Sequence, residues 1–203
     1  MLRNEIINKI IDFKKYKNYL EIGINTGFCF KQINCLNKTG VDPNVNCLDA
    51  TYHMTSDDFF AKNNNRFDII FIDGLHLADQ VDRDIENSLN FLNEGGTIVI
   101  HDANPPSETH AGETICYQPP ACGNWTGTVY KSIIKLRLNR SDLEIKTVDT
   151  DWGVAILTKN NSEKLSILPP NNDITWEYFD SNRKEILNLI SVEDFLKIYN
   201  CVN

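Results

Sequence analysis

Residues 20–27 read Leu20-Glu21-Ile22-Gly23-Ile24-Asn25-Thr26-Gly27, and the interpretation of the whole chain turns on this octapeptide. The apolar run Tyr19–Ile24 is short and passes into glycines, the pattern of a buried strand entering a tight turn. Gly23 and Gly27 let the backbone turn sharply and approach a ligand closely. A helix over 28–37 follows, with its amide dipoles facing the same pocket. A dinucleotide-binding turn would need G-x-G-x-x-G, but Asn25 replaces the middle glycine and the spacing fails, which disfavours an NAD-dependent dehydrogenase. Glu21, inside the strand, repels a pyrophosphate and suits a ligand carrying a positive amino or sulfonium group.

Outward from this turn the chain alternates. Before it, residues 3–16 carry Ile6, Ile7, Ile10, Ile11 and Phe13 at helical spacing. After it, Gly40–Asp42 ends a second strand and Thr51–Met54 is a candidate third. Phe67–Ile72 is a strong strand. Residues 78–92 form a helix with Val81, Ile85, Leu89 and Leu92 on one face, broken by Gly95-Gly96 before the strand Thr97–Ile100. Residues 126–138 read as a helix, and 143–148 with 152–158 as an antiparallel pair. Residues 174–199 close the chain with one or two helices. Alternating strands and helices predict a doubly wound, mostly parallel α/β sheet with helices on both faces. The proline-rich stretch 103–124 is long enough to be a lid.

Composition sets outer limits. The 203 residues are 41% hydrophobic and 24% charged, ordinary for a globular chain of one domain. That domain divides into an N-terminal helix at 1–17, a core at 18–158, and a connector with a helical tail at 159–203. A formal charge of −8 argues against nucleic-acid binding. With no 18-residue apolar run and a charged N-terminus, neither membrane partners nor secretion is expected, and the location expected is cytoplasmic. The six cysteines, at 29, 35, 47, 116, 122 and 201, form no CxxC pair and are expected as free thiols.

The motifs in order resemble one family. E-x-G-x-x-x-G, Asp42 at the second strand end, Met54–Phe60, Phe67–His76 and Gly95–Asp102 are together similar to class I S-adenosylmethionine (SAM)-dependent methyltransferases. The subgroup resembled is that of macrocin O-methyltransferase and the cephalosporin-hydroxylase-like proteins. The resemblance implies a seven-stranded Rossmann-like sheet with an antiparallel terminal strand, and SAM as cofactor. It implies that Glu21 and Gly23 hold the methionine part, Asp42 the ribose, and Ser56 with Asp57 or else Asp58 the adenine, with Asn25, Gly27 and Asp73 also bordering the cofactor. It also implies O-methylation of a small molecule such as a sugar or glycan precursor.

Hydroxyl methylation needs a base. His76, His101 and Asp102 stand at two strand ends expected on one edge, and a neutral imidazole is a suitable base near pH 7. Some relatives place magnesium on carboxylates here, which would correspond to Asp73 and Asp102. His101 stands where those relatives have an acid, which weakens magnesium and favours manganese or iron. Asp79, Asp82 and Asp84 follow on a helix as a solvated face, with Asp79 nearest the site. Trp125, Tyr130 and Trp152 are expected in the core or pocket wall. Two rivals remain, a metal-dependent enzyme without methyl transfer and a SAM-binding scaffold without catalysis. The first and last helices could support a homo-oligomer.

Overall fold

A computed structural model describes residues 1–200; Cys201 lies outside the described residues. Seven strands form one sheet in the order β2-β1-β3-β4-β6-β5-β7. They are β1 (Asn18–Ile22), β2 (Asn37–Val41), β3 (Phe67–Ile72), β4 (Leu92–Ile100), β5 (Glu144–Val148), β6 (Val154–Thr158) and β7 (Leu189–Ile190). The first four are mutually parallel, β6 runs antiparallel between β4 and β5, and β7 joins β5 in parallel. The sheet is thus the doubly wound, mostly parallel one expected, with β6 as the antiparallel strand.

Burial follows the two-residue period of the strands. Leu20, Ile22, Ile70, Ile72, Ile98, Ile100, Ala155 and Leu157 point into one hydrophobic layer. That layer also takes in α3 (Ser56–Lys62), α4 (Ala78–Phe91), α5 (Val129–Asn139) and α6 (Trp176–Ile186). The alternate residues Tyr19, Ile69, Phe71, Val99, Val154 and Ile156 face the other layer. There they meet α1 (Arg3–Lys14), α2 (Phe28–Gln32) and α7 (Val192–Tyr199). Both faces are covered, which is why the parallel strands read as continuous apolar runs.

Three elements depart from the sequence reading. The candidate third strand at Thr51–Met54 shrinks to one bridge between Tyr52 and Val41. The seventh strand comes instead from two residues of the tail, Leu189–Ile190, which no periodicity could announce. The expected helix over 28–37 stops at Gln32, and five residues carry little dipole toward the pocket. Gly95-Gly96 interrupts the β3–β4 pairing rather than the strand, since Phe67 faces Leu92 and Ile69 already faces Thr97. Residues 101–128 contain no regular helix or strand. They are pinned from outside by Arg183, which donates to Asn104 Oδ1 and the Pro105 carbonyl. No described helix is long and apolar enough to cross a membrane.

Candidate active site

The carboxyl ends of β1 to β4 open into one cavity of about 890 Å³. Parallel strands deliver their last residues to one edge, and a twisted sheet leaves a crevice there. At Gly23 (φ 88°) the chain passes so close to the end of β3 that an added Cβ would lie 2.1 Å from the Asp73 carbonyl oxygen. Only glycine satisfies both the left-handed backbone and that contact. The turn is then fixed by Asp42, which is buried. Its Oδ2 accepts the amides of Ile24 and Asn25 at 2.9 and 2.8 Å, and its Oδ1 accepts Asn44 N at 2.8 Å. Asp42 thus spends most of its acceptor capacity on its own backbone. Asn25 adopts φ 50° on the exposed side of the turn, and Gly27 (φ 77°) caps α2.

Glu21 lines the cavity at 1% exposure. Burial pushes its carboxyl up to about 8, against the hydrogen bond donated by the Tyr19 hydroxyl. No cation salt-bridges it among the described residues. A buried acid in this state is poised to receive a positive group.

Along the adjoining wall the carboxylates sort differently from the sequence reading. Asp57, assigned to the adenine, is exposed, does not line the cavity, and pairs with Arg83 at 3.3 Å. Asp58 belongs to the cap of α3, where its amide donates to Thr55 Oγ1. Both point away because α3 presents Phe59 and Phe60 to the core. Ser56 does line the cavity and accepts from Gln80 Nε2 at 3.1 Å. The acid missed is Asp84, expected on a solvated face yet 1% exposed and in the cavity wall. Asp79 is exposed, and Asp82 pairs with Lys135 at 2.8 Å on the surface. The signal was available, for Asp84 shares the stripe of Val81, Ile85 and Ser88.

At the opposite end four side chains meet. His76 Nε2 lies 3.4 Å from Asp73 Oδ1, and His76 Nδ1 lies 3.1 Å from Asp102 Oδ2. His101 Nδ1 is 3.3 Å from both Asp73 Oδ1 and Asp102 Oδ1. Burial opposes charge on Asp73, His76 and His101. The two imidazoles nevertheless hold Asp73 below the usual carboxylate range, and the carboxylates hold His76 and His101 above the usual imidazole range. Asp73, His76 and Asp102 each offer a ligand atom, all within 4.8 Å of one another. Two hard oxygens and one imidazole fit a divalent cation, better manganese or iron than magnesium.

Two further participants had no signal in the sequence. Arg3, at the start of α1, reaches Asp73 at 3.5 Å, Asp151 at 3.1 Å and His101 Nε2 at 3.2 Å. Asp151 comes from the β5–β6 turn, where Asp151 (φ 47°), Trp152 (φ 65°) and Gly153 (φ 87°) are left-handed in succession. The same turn sets Trp152 in the cavity wall. Facing it, Trp125 stacks on His76 with ring centroids 5.4 Å apart. Tyr130 packs in the core against Phe179. Cys29, Cys35, Cys47, Cys116 and Cys122 are free thiols.

Comparisons with known proteins agree with this architecture. A family described as a methyltransferase domain matches residues 24–103, from the glycine turn to just past Asp102. No curated protein matches the chain. Among solved structures, the chain is similar to an O-methyltransferase from Bacillus cereus in complex with S-adenosylhomocysteine (SAH). That pair shares 13% identity, covers 77% of this chain and 80% of the other, and has a TM-score of 0.54. It is also similar to the O-methyltransferase TomG from Streptomyces achromogenes in complex with SAM, at 13% identity, 78% and 80% coverage, and TM-score 0.54. An SAH-bound methyltransferase from Podospora anserina shares 13% identity over 79% of this chain and 78% of its own, with TM-score 0.58. At such identities the likeness establishes the common fold.

Proposed function

We propose that this chain, with its methyltransferase domain, transfers the methyl group of SAM to a hydroxyl of a small molecule. The observation that carries the reading is the continuity of one cavity. It joins a glycine turn with a buried carboxyl that forms no salt bridge among the described residues to a paired acid–imidazole cluster. The cofactor end fits SAM because Glu21, a buried acid in the cavity wall, awaits a positive group.

When bound, SAM supplies a methyl group on a sulfonium that leaves as a neutral thioether. The residues here orient the partners and move one proton. Glu21, in its ionised form, would hold the amino group of SAM. Asp42 keeps the turn rigid and has residual acceptor capacity for the ribose. His76, in the neutral form that the flanking carboxylates disfavour, would take the proton from the acceptor hydroxyl during the transfer. Asp73 and Asp102, on either side of His76, stabilise the imidazolium that results. His101 bridges both carboxylates from behind and positions them.

A divalent cation on Asp73, His76 and Asp102 would lower the hydroxyl's pKa and orient it, with His76 then a ligand. Trp125, Trp152 and Leu75 give the acceptor end a broad apolar wall, suited to a ring-bearing acceptor such as a sugar or an aryl hydroxyl. Calorimetry with SAM and SAH tests the cofactor, with EDTA or manganese in parallel. A methyl-label screen of sugar and aryl hydroxyls tests the acceptor. A folded protein that binds neither SAM nor SAH would overturn the reading.

A further inference from the structure

A second hollow, of about 340 Å³, lies outside the catalytic cavity and has no part in the chemistry above. Its size is near the lower end of the roughly 300–1,000 Å³ that small-ligand sites span. The proline-rich stretch supplies Glu108 and Glu113, α5 supplies Tyr130 and Lys131, and the entry to α6 supplies Asp173 and Trp176. None of the four charged groups forms an ion pair among the described residues. Tyr130 is 3% exposed, and its ring is fixed against Phe179 at a centroid distance of 4.5 Å. Its hydroxyl has no hydrogen-bond partner among the described residues, although native proteins seldom leave such a buried group unmet. Burial, with the charges of Glu108 and Asp173 in the same wall, pushes the phenol up to about 12. It therefore stays neutral and offers both a donor and an acceptor.

The lining selects a ligand by its mixture of signs. A cation would meet Lys131 and the positive ends of two helix dipoles, since α5 and α6 both start at this wall. An anion would meet three carboxylates. Carboxylates only accept hydrogen bonds, an ammonium only donates them, and a phenol does both. The ligand that suits all three is uncharged and both donates and accepts at each position, as a ring of hydroxyls does. Trp176 adds an apolar surface for the carbon face of such a ring. We infer that this hollow binds a neutral sugar ring, with Tyr130, Lys131 and the carboxylates on its hydroxyls and Trp176 against its carbon face. The site needs neither SAM nor the charge cluster around His76. Only a loop separates the two, for Trp125, which stacks on His76, donates from Nε1 at 2.7 Å to the carbonyl of Gly112, a residue lining the hollow.

The chain's three tryptophans separate the two cavities, because Trp125 and Trp152 line the first and Trp176 the second. The test follows their indole N–H signals by NMR, without SAM, while the isotope-labelled protein is titrated with the methyl glycosides of glucose, galactose, mannose and N-acetylglucosamine. At least one glycoside is expected to shift the Trp176 signal with roughly millimolar affinity, the strength open to so few atoms. Tyr130→Phe keeps the ring in the core and removes only the hydroxyl. It should weaken that glycoside by roughly three- to tenfold, the effect of one hydrogen bond. Asp173→Ala, at an exposed position, should do the same and serves if the phenylalanine variant does not fold. Shifts confined to Trp125 and Trp152, or no response to any glycoside, overturn the inference. So does a Trp176 response that both variants leave intact. A Trp176 response to inorganic phosphate or 1,4-diaminobutane, with none to the glycosides, overturns it in favour of an ion site.

Discussion

The two ends of the cavity are built on different physics. The end proposed for the cofactor is a backbone device, with a turn that only glycine can make and three amides tied to one carboxylate, Asp42. The end proposed for the acceptor is a side-chain device. Asp73, His76, His101, Asp102, Arg3 and Asp151 arrive from four segments of the chain and hold one another by charge. A backbone device tolerates almost no substitution, yet its shape is indifferent to pH. A charge cluster tolerates isosteric replacement but responds to protons and ions. One pocket thereby combines a rigid seat with an adjustable one.

The contrast breaks most visibly at Gly23. Gly23→Ala must place its Cβ against the Asp73 carbonyl and hold φ near 88°. The expected loss is about 3 kcal/mol or more, with SAH binding abolished. Unchanged thermal unfolding would mean that the turn yields more easily than its geometry implies. Next in size, His76→Gln and Asp102→Asn should each lower turnover by roughly 100- to 1000-fold. Asparagine tolerates the φ of 58° at that position, so the second change isolates the charge. SAH affinity should stay within about twofold in both; a matching loss of affinity would erase the distinction between the ends.

Asp42→Ala frees three amides and should weaken SAH by about tenfold or more while leaving acceptor KM unchanged. A smaller effect is expected at Glu21. Its folded value of about 8 exceeds the ordinary 4.5. Unliganded, it therefore contributes stability that is fully present below about pH 4.5 and lost as pH rises through about 8. Binding a cationic amino group requires the ionised form, so SAH affinity should rise with pH, by at most about tenfold per unit, up to about 8. Glu21→Gln should flatten both slopes, and slopes that persist in this variant would assign them elsewhere. Smallest of all, Arg3→Met should cost about 1 kcal/mol by thermal unfolding, the scale of a partly exposed pair. By removing a cation beside Asp73 it should also tighten manganese binding, measured by titration. Weaker manganese binding would mean that Arg3 organises the cluster rather than competing for it.

The same division explains what could be read from the chain alone. Gly23, Gly27, Asp42 and the alternating strands are local in sequence, and their spacing predicted both the sheet and the turn. The charged strand ends, Asp73 to His76 and His101-Asp102, needed only the inference that parallel strands share an edge. Arg3 and Asp151 meet across 148 positions, so no local pattern links them. The burial of Asp84 and the exposure of Asp57 were not legible because helix orientation is a packing outcome. Phe59 and Phe60 turn Asp57 outward, whereas Val81 and Ile85 carry Asp84 inward. An acid on an apolar stripe is the clue to the inward position.

The three left-handed residues at 151–153 also bear on how this protein could be improved in the laboratory. Asp151 and Trp152 hold backbone conformations that cost on the order of 1 kcal/mol each for non-glycine residues. Selection for heat resistance alone would therefore favour glycine at Trp152, whereas Asp151 also holds Arg3 and His101. The resulting enzyme would be hardier and worse, having lost the indole from the cavity wall. In a thermostability screen scored without activity, this hairpin tip is the first place where the winners would be false.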